Sequence, residues 1–341
     1  MATDRGTAAG TGIRHRTVDL PGRVRMHLAE AGPADGPPVI MLHGFPECWY
    51  SWRHQLRALG AAGFHAIAPD QRGYARTEAP EEIEEYSLPD LAGDVVALIG
   101  ATGNRSGRRP VLVGHDWGAP VAWVTAMLRP DLLSGVAGLS VPPILPAGMQ
   151  PPSVTRHTYG EGFYQIYFQE PGRADAELAA DPDLSFRSLL FFGSGDNPGN
   201  NPPKVWVVPE GLRLSDGLRA PEKLPDWLTE EDVATFVREY AEHGDRAFTG
   251  PLNWYRNIER NNRQLAVFDG RTIPLPALFV GGDRDLVMAF RGMEHLPEIL
   301  RHALPRLRGS HILPGCGHWT QQERPDEVNG LLLEFLRGLE E

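Results

Sequence analysis

Short apolar runs alternate with longer segments of helical periodicity along the first 142 residues of the chain. The runs that predict strands are residues 24–29, 39–42, 66–68, 111–113 and 136–141. The segments between them that predict helices are about residues 51–62, 88–102 and 119–129. Short strands that alternate with crossover helices pair mostly in parallel. The pattern therefore predicts an α/β fold with a mostly parallel central sheet flanked by helices.

The pattern changes between residues 143 and 262, where clusters of Pro, Gly and Asn separate short helical segments rich in aromatic residues. The α/β alternation then returns, with a strand at 276–281, a helix near 295–305, a strand at 310–313 and a terminal helix at 325–338. We therefore expect an α/β core in two parts, 1–142 and 263–341, with a helical cap at 143–262 inserted between them. Residues 1–14 are expected to be a loose tail.

Composition narrows the classes of function. The chain has 341 residues and a net charge of -11, which argues against nucleic acid and anionic membranes as partners because both require a basic face. The sequence shows neither a signal-peptide core nor an apolar run of membrane-spanning length, so we expect a cytoplasmic protein. Only two of the 33 basic residues are lysines, a bias typical of GC-rich bacterial genomes.

The two cysteines, Cys48 and Cys316, are too few for a disulfide framework and lack metal-ligand spacing. We therefore expect no metal and no organic cofactor, and both thiols are expected to be reduced and structural. Composition leaves homo-oligomerisation open.

The clearest signal for chemistry is Gly114-His115-Asp116-Trp117-Gly118, which joins a predicted strand to a predicted helix. A strand, a sharp turn and a helix, with glycine on both sides of the central residue, form the nucleophile elbow that exposes one reactive side chain. Here that side chain is the carboxylate of Asp116. The alternative reading is a plain turn, in which aspartate between glycines is common.

A carboxylate nucleophile restricts the reaction. Aspartate has an ordinary pKa of about 3.9 and is ionised at neutral pH, so it can attack without a base. Attack on a carbonyl would give an anhydride, whereas attack on an sp3 carbon with a leaving group gives a stable alkyl ester. The pattern therefore indicates an epoxide or an alkyl halide as substrate.

Two segments after the cap supply partners for Asp116. Residues 280–285 place Asp283 and Asp285 after one predicted strand, and residues 315–318 place His318 after the next. Nucleophile, acid and histidine follow in the chain order of the triads on this architecture. We expect Asp285 to orient His318, and His318 to activate water against the ester, with Asp283 as the alternative acid. Taken singly, each could be a helix cap or a core histidine.

A loop at residues 43–46 follows the strand at 39–42 and ends in Phe45-Pro46. In serine enzymes of this architecture, the oxyanion hole uses the N–H after the nucleophile and one N–H from this earlier loop. Those groups would be the N–H of Trp117 and the N–H of Phe45, and both residues are expected to contact substrate. A turn fixed by proline is the alternative reading.

These motifs resemble the α/β-hydrolase superfamily and, within it, the soluble epoxide hydrolases, from about residue 15 to residue 338. The segments that carry the resemblance are HGFPECWYSWR (43–53), DQRGY (70–74), GHDWG (114–118), YQIYFQEPG (164–172), NWYRN (253–257) and GCGHWTQ (315–321). Epoxide hydrolases hold the epoxide oxygen with a tyrosine from each of two cap segments. The resemblance places these tyrosines at Tyr164 and Tyr255, and leaves Tyr167, three residues along the same helix, as a competing or additional substrate contact.

The resemblance implies hydrolysis of an apolar epoxide to a vicinal diol. An opening epoxide forms a basic alkoxide and needs a proton donor, and tyrosine, with a pKa of about 10, remains protonated at neutral pH. His115, Arg72 and Cys316 are expected to be structural. The cap residues Phe191, Phe192, Trp206 and Trp227 either line an apolar pocket or pack the cap itself.

Three alternatives stay open on the sequence. Haloalkane dehalogenases share the tryptophan at position 117, but often have an asparagine where this chain has Phe45. Fluoroacetate-type dehalogenases have an arginine beside the nucleophile, where this chain has Trp117. A non-catalytic ligand-binding protein on the same fold is the third alternative, because a fold does not by itself imply activity.

Overall fold

One eight-stranded sheet forms the centre of the computed structural model, which describes residues 12–102, 106–143 and 150–339. The strands are β1 (Arg14–Asp19), β2 (Arg25–Ala31), β3 (Pro38–Leu42), β4 (His65–Pro69), β5 (Val111–His115), β6 (Gly135–Leu139), β7 (Ala277–Gly282) and β8 (Leu307–Leu313). Their order is β1-β2-β4-β3-β5-β6-β7-β8. β2 pairs antiparallel with β1 and with β4, and the remaining pairings are parallel. The predicted fold class is therefore confirmed.

Helices flank the sheet and fill a long insertion between β6 and β7. They are α1 (Arg53–Ala61), α2 (Leu88–Thr102), α3 (Gly118–Leu128), α4 (Pro152–Tyr159), α5 (Tyr164–Tyr167), α6 (Arg173–Ala179), α7 (Pro182–Gly193), α8 (Leu214–Gly217), α9 (Glu230–Tyr240), α10 (Thr249–Arg256), α11 (Ile258–Leu265), α12 (Leu296–Ala303), α13 (Thr320–Glu323) and α14 (Pro325–Arg337). Helices α4–α11 form the inserted helical region, and the other helices belong to the core.

The central strands are buried throughout. Every residue of β5 and of β6 is buried, as is nearly every residue of α3. Parallel strands covered on both faces appear in sequence as continuous apolar runs, which explains why these strands were predictable. The turn between β5 and α3, which carries Asp116, therefore lies at the carboxyl end of a buried strand in the interior of the sheet.

The two edge strands differ from the prediction. β1 begins at Arg14 and Ile13 is buried, so the chain joins the core within the stretch expected to be a loose tail. Residues 1–11 of that tail lie outside the described residues. β8 begins three residues earlier than predicted, and its residues alternate between partly buried and exposed. An edge strand with one face in water contains polar residues at alternate positions, and these interrupt the apolar run.

A buried ion pair between α9 and α1 connects the inserted helices to the core. Thr229 caps α9 through reciprocal hydrogen bonds with Asp232. Asp232 also pairs with Arg53 of α1 at 3.1 Å, and accepts a hydrogen bond from the Tyr50 hydroxyl at 3.0 Å. The Arg53 and Asp232 side chains are only 4% and 10% exposed, so this pair is screened little by salt. The contact holds the inserted region over the carboxyl ends of the strands.

Candidate active site

Asp116 occupies the sharp turn between β5 and α3 in a left-handed conformation, with φ of 49°. The flanking glycines are required by space. A Cβ on Gly114 would overlap the carbonyl oxygen of Gly118, and a Cβ on Gly118 would overlap the carbonyl oxygen of Leu42. Left-handed φ is uncommon for a residue with a side chain and is found at functional turns. The turn directs the Asp116 carboxylate into a cavity.

Two groups contact the Asp116 carboxylate. The N–H of Phe45, in the loop after β3, donates to Oδ1 at 2.7 Å. The Nε2 of His318 lies 3.2 Å from Oδ2. One carboxylate oxygen is thus held by a backbone amide, while the other faces an imidazole. Trp117 is the next residue, directly before α3, and its side chain lines the cavity.

Asp285 lies on the far side of the imidazole. His318 donates from Nδ1 to Asp285 Oδ1 at 2.8 Å, and the same oxygen accepts from the N–H of Val287 at 2.9 Å. The Asp285 side chain is fully buried. Asp283, the alternative acid, is exposed and accepts from the N–H of Gly315 instead. Of the two candidate acids, the structure brings Asp285 to His318.

The charges of Asp116, His318 and Asp285 each favour the ionised form of the neighbouring group. Burial acts to raise the pKa of Asp116, but the hydrogen bond and charge of His318 lower it below its ordinary value of 3.8. Burial acts to lower the pKa of His318, but Asp285 and Asp116 raise it well above 6.5. In the free protein, an imidazolium therefore lies between two carboxylates at neutral pH.

Tyr164 and Tyr255 line the same cavity as Asp116. Their ring centroids are 5.8 Å apart, and the Tyr255 ring packs edge to face on Phe45 and Trp117 at 5.5 Å and 5.2 Å. Burial raises the pKa of both hydroxyls, and the charge of Asp116 raises them further. Both phenols are therefore protonated hydrogen-bond donors beside the carboxylate.

Tyr167 is a predicted substrate contact that does not line the cavity. Its hydroxyl donates to Glu177 at 2.8 Å and accepts from the N–H of Leu214 at 3.1 Å. The Arg173 guanidinium lies 4.0 Å from the centre of its ring. Tyr167 therefore packs inside the inserted region, and the expectation that it contacts substrate is not met, because its hydroxyl is bound by residues of that region.

The cavity has a volume of about 230 Å³ and a mostly apolar lining. Two of the four aromatic residues singled out in the sequence, Phe192 and Trp206, line it. Phe191 does not line this cavity, and Trp227 donates from its indole N–H to Ser194 Oγ at 3.1 Å. Gln165, which was not selected from the sequence, also lines the cavity, and it donates a hydrogen bond to the Tyr164 hydroxyl at 3.0 Å.

The backbone of His318 is held on both sides. Its N–H donates to the carbonyl oxygen of Gly193 at 2.7 Å, and its carbonyl accepts from His115 Nε2 at 2.7 Å and from Ser140 Oγ at 2.6 Å. His115 in turn contacts Glu47 through Nδ1 at 2.7 Å. These contacts join the loop that carries His318 to β5, to the end of β6 and to the inserted region.

Glu323 is a further buried carboxylate that the sequence did not indicate. It accepts from the N–H groups of Gly317 at 3.0 Å and Trp319 at 3.1 Å, the two residues that flank His318. It also accepts from the N–H of Gly195 at 2.8 Å. Burial raises the pKa of Glu323 to about 7, although these three amides act to lower it. No sequence motif identifies such a residue, because its partners are backbone N–H groups, which every residue except proline has.

Other chemistries find little support in the described residues. Cys316 is buried and burial raises the pKa of its thiol, so a reactive thiolate is disfavoured. Across residues 12–102, 106–143 and 150–339, no cluster of three His, Cys, Asp or Glu side chains is arranged to hold a metal ion. In the same part of the chain, no helix is long and apolar enough to cross a membrane.

Comparison with known proteins agrees with this geometry. Residues 37–325 match the alpha/beta hydrolase fold family. Epoxide hydrolase A of Mycobacterium tuberculosis is 43% identical over 329 residues, which cover 95% of this chain and 98% of the relative. Epoxide hydrolase B of the same organism is 37% identical over 361 residues, with the same coverage.

Solved structures give the same result. The crystal structure of epoxide hydrolase A from Mycobacterium thermoresistibile is 44% identical with a TM-score of 0.84, covering 96% of this chain and 98% of that one. An epoxide hydrolase from Vigna radiata is 36% identical with a TM-score of 0.86, covering 98% of this chain and all of the other. The chain therefore belongs to the α/β-hydrolase superfamily and, within it, to the epoxide hydrolase family of enzymes.

Proposed function

We propose that this enzyme converts an apolar epoxide and water to a vicinal diol through an alkyl ester on Asp116. One observation carries the proposal. An ionised carboxylate lies between an imidazole and a backbone N–H, beside two protonated phenols, in a mostly apolar cavity. Ring opening needs a nucleophile that is ready without a base and acids that protonate the alkoxide, and this cavity supplies both.

In the first step, Asp116 Oδ2 attacks one epoxide carbon and breaks its bond to the ring oxygen. Oδ1 stays on the N–H of Phe45, which orients the carboxylate. Tyr164 and Tyr255 donate hydrogen bonds to the ring oxygen, and one of them transfers its proton to the alkoxide. The tyrosinate that remains regains its proton from the His318 imidazolium by way of water, and this leaves His318 as a neutral base. The product is an ester between Asp116 and the substrate, which carries one new hydroxyl.

In the second step, His318 removes a proton from water, and the resulting hydroxide attacks the Cγ of Asp116. Asp285 holds the imidazole through Nδ1 and stabilises its positive charge. The N–H groups of Phe45 and Trp117 hold the oxyanion that forms on Oδ1. Collapse of the intermediate releases the diol, whose leaving oxygen takes the proton from His318. The Asp116 carboxyl, left protonated by the added hydroxide, then passes its proton to His318, and this restores the carboxylate and the imidazolium.

The same proposal divides the chain into an α/β core at 1–142 and 263–341 and a helical cap at 143–262. Helices α4–α10 lie within the cap range, and α11 (Ile258–Leu265) crosses its end. Tyr164 and Tyr255 come from this range, whereas Asp116, Asp285 and His318 come from the core. Catalysis would then require both parts, and removal of the cap should abolish ring opening.

A substrate panel tests the function. Purified enzyme is incubated with styrene-type, aliphatic and terpene-like epoxides beside chlorinated and brominated alkanes, and with Asp116→Ala as the matched control. We expect diols from epoxides, no halide release, and no diol from the control. Halide release without diol would assign the chain to dehalogenation, and binding without turnover would assign it to ligand binding.

Oxygen labelling tests the ester directly. In a single turnover in heavy-oxygen water, the label should appear in the Asp116 carboxylate, while the first diol keeps unlabelled oxygen from the enzyme. Label in the first diol with none on Asp116 would show that water attacks the epoxide directly.

A further inference from the structure

Tyr164 and the next residue along the chain, Gln165, are joined by a side-chain hydrogen bond in the active-site cavity. The Nε2 of Gln165 donates to the Tyr164 hydroxyl at 3.0 Å, and both residues line the cavity. A hydroxyl has one proton to donate, and its oxygen can also accept. Because the Tyr164 oxygen accepts from Gln165, its own proton is left for a second acceptor. That proton is therefore available to the ring oxygen of a bound epoxide.

The same hydrogen bond acts on the oxygen that becomes negative when Tyr164 loses its proton. Burial and the charge of Asp116 raise the pKa of Tyr164, and the hydrogen bond from Gln165 acts to lower it. A hydrogen bond to an ionised acceptor is about twice as strong as one between neutral groups, so this contact strengthens as the proton leaves. A contact that is stronger in the transition state than in the ground state accelerates the step. Gln165 therefore favours proton transfer from Tyr164.

A second glutamine holds the backbone of Gln165. The Nε2 of Gln169 donates to the carbonyl oxygen of Gln165 at 2.8 Å and to the carbonyl oxygen of Tyr255 at 2.9 Å. Gln165 lies on α5 and Tyr255 lies on α10, so one amide group joins the two helices that carry the cavity tyrosines. The N–H of Tyr164 also donates to the carbonyl oxygen of Trp206 at 3.1 Å. These contacts fix the backbone from which the Gln165 amide reaches Tyr164.

We propose that Gln165 is a positioning residue for ring opening, and that its amide N–H directs the Tyr164 proton to the epoxide oxygen and then stabilises the tyrosinate. This inference rests on the proposed function and adds a residue to its first step. As Asp116 Oδ2 bonds to the epoxide carbon and the bond from that carbon to the ring oxygen breaks, the proton passes from Tyr164 to the ring oxygen. Gln165 itself gains and loses no proton.

Two variants of similar size separate the N–H donor from the space that the side chain fills. Gln165→Met removes the hydrogen bond. Gln165→Glu replaces the donor with a carboxylate, which accepts the Tyr164 proton and turns it away from the epoxide. In single turnovers of a styrene-type epoxide at about pH 8, ring opening should slow about tenfold in Gln165→Met and about a hundredfold in Gln165→Glu.

Hydrolysis of the ester should keep its wild-type rate in both variants, because that step does not use the Tyr164 proton. Equal slowing of the two steps would overturn the proposal. Wild-type ring opening in Gln165→Glu would also overturn it, because the amide oxygen and not the N–H would then face Tyr164.

A double-mutant cycle identifies the group through which Gln165 acts. In the Tyr164→Phe background no hydroxyl remains to be directed, so Gln165→Met should have no further effect on ring opening. In the Tyr255→Phe background the Tyr164 hydroxyl is still present, so Gln165→Met should keep its full effect of about tenfold. A general loss of structure in the cavity would cost the same in both backgrounds, and equal effects would overturn the proposal.

The pH profile of Gln165→Glu is a readout that a purely structural role would not change. Near and below the ordinary glutamic acid pKa of about 4.3, the introduced carboxyl carries a proton that it can donate to Tyr164. Methionine cannot donate at any pH. The rate of ring opening in Gln165→Glu, divided by that in Gln165→Met, should therefore rise about tenfold or more between about pH 8 and about pH 4. A ratio that stays constant over this range would contradict the proposal.

A binding measurement separates this inference from the proposed function. Acetophenone presents a carbonyl oxygen to the cavity tyrosines but has no ring to open, and its binding can be followed by quenching of tryptophan fluorescence. Gln165→Glu should weaken this binding about tenfold at about pH 8, and should have no effect in the Tyr164→Phe background. This result without epoxide hydrolysis by the wild type would overturn the function and keep the role of Gln165. Diol formation with unweakened binding would keep the function and overturn that role.

Discussion

The Nε2 of His318 lies 3.2 Å from Oδ2 of Asp116, so the nucleophile and the base of the proposed reaction are paired before substrate enters. The pairing changes when the ester forms, because Asp116 then carries no charge. Asp116 is one of the two groups that raise the pKa of His318. Ester formation should therefore lower the pKa of His318 and convert an imidazolium into the neutral base that the second step requires.

Replacement of His318 should separate the two steps. Asp116 is ionised without help, so His318→Gln should consume about one epoxide per active site in a burst and then stop at the ester. Intact-mass spectrometry should show an increase equal to the mass of the epoxide. A folded variant that binds substrate but gives neither burst nor adduct would show that the histidine acts during ring opening.

The two cavity tyrosines should share the acid role. Tyr164→Phe or Tyr255→Phe should slow ring opening by about 10²- to 10⁴-fold, because each removes a proton donor, and the double variant should nearly abolish it. Single-turnover kinetics measures the step. Tyr167→Phe is the matched control, since its hydroxyl binds Glu177 outside the cavity. If Tyr167→Phe slowed ring opening strongly and Tyr164→Phe left its rate unchanged, the acid on α5 would be Tyr167 and not Tyr164.

Glu323→Gln should impair the second step selectively. The amide places an N–H₂ group against backbone N–H donors, which leaves a buried donor unsatisfied and costs about 1–3 kcal/mol of stability. The loop that carries His318 loses its fixed position, so hydrolysis of the ester should slow about tenfold. Ring opening in the first turnover should keep its wild-type rate. Equal slowing of both steps would show a general loss of structure.

The raised pKa of His318 predicts a dependence of stability on pH. A histidine whose folded pKa exceeds 6.5 stabilises the fold fully below about pH 6.5, and this contribution is lost as pH rises through the folded value. Asp285→Asn removes one of the charges that raise this pKa, so the decline in its stability should end at a lower pH than in the wild type, and the total loss should be smaller. Urea unfolding across neutral and mildly alkaline pH measures both. Coincident declines would mean that Asp285 does not set the charge of His318.

Much of the fold could be predicted from sequence because the central strands are buried on both faces. β5 and β6 contain no exposed residue, so their apolar runs are unbroken. β1 was not predicted, because five of its six residues are polar and the strand contains no apolar run. Local patterns also located the elbow, since Gly114 and Gly118 are required by close backbone contacts.

The parts of the site that could not be predicted depend on contacts between distant residues. Tyr164 and Tyr167 lie on α5, a single helical turn, and spacing alone cannot show that Glu177 binds the second hydroxyl. The choice between Asp283 and Asp285 likewise depends on which loop residue reaches His318. Glu323 binds three backbone amides, and a sequence contains no signal for such partners.

The backbone contact between residues 193–195 and the loop of His318 bears on how this enzyme can be re-engineered. The carbonyl oxygen of Gly193 accepts from His318, and a Cβ on Gly195 or Gly317 would overlap the opposing backbone. If the helical region of a relative replaced this one, its own backbone would have to accept the hydrogen bond from the N–H of His318. A poor fit at this contact would displace the His318 imidazole. Chimeras that keep activity should therefore take residues 193–195 and the loop of His318 from the same parent protein.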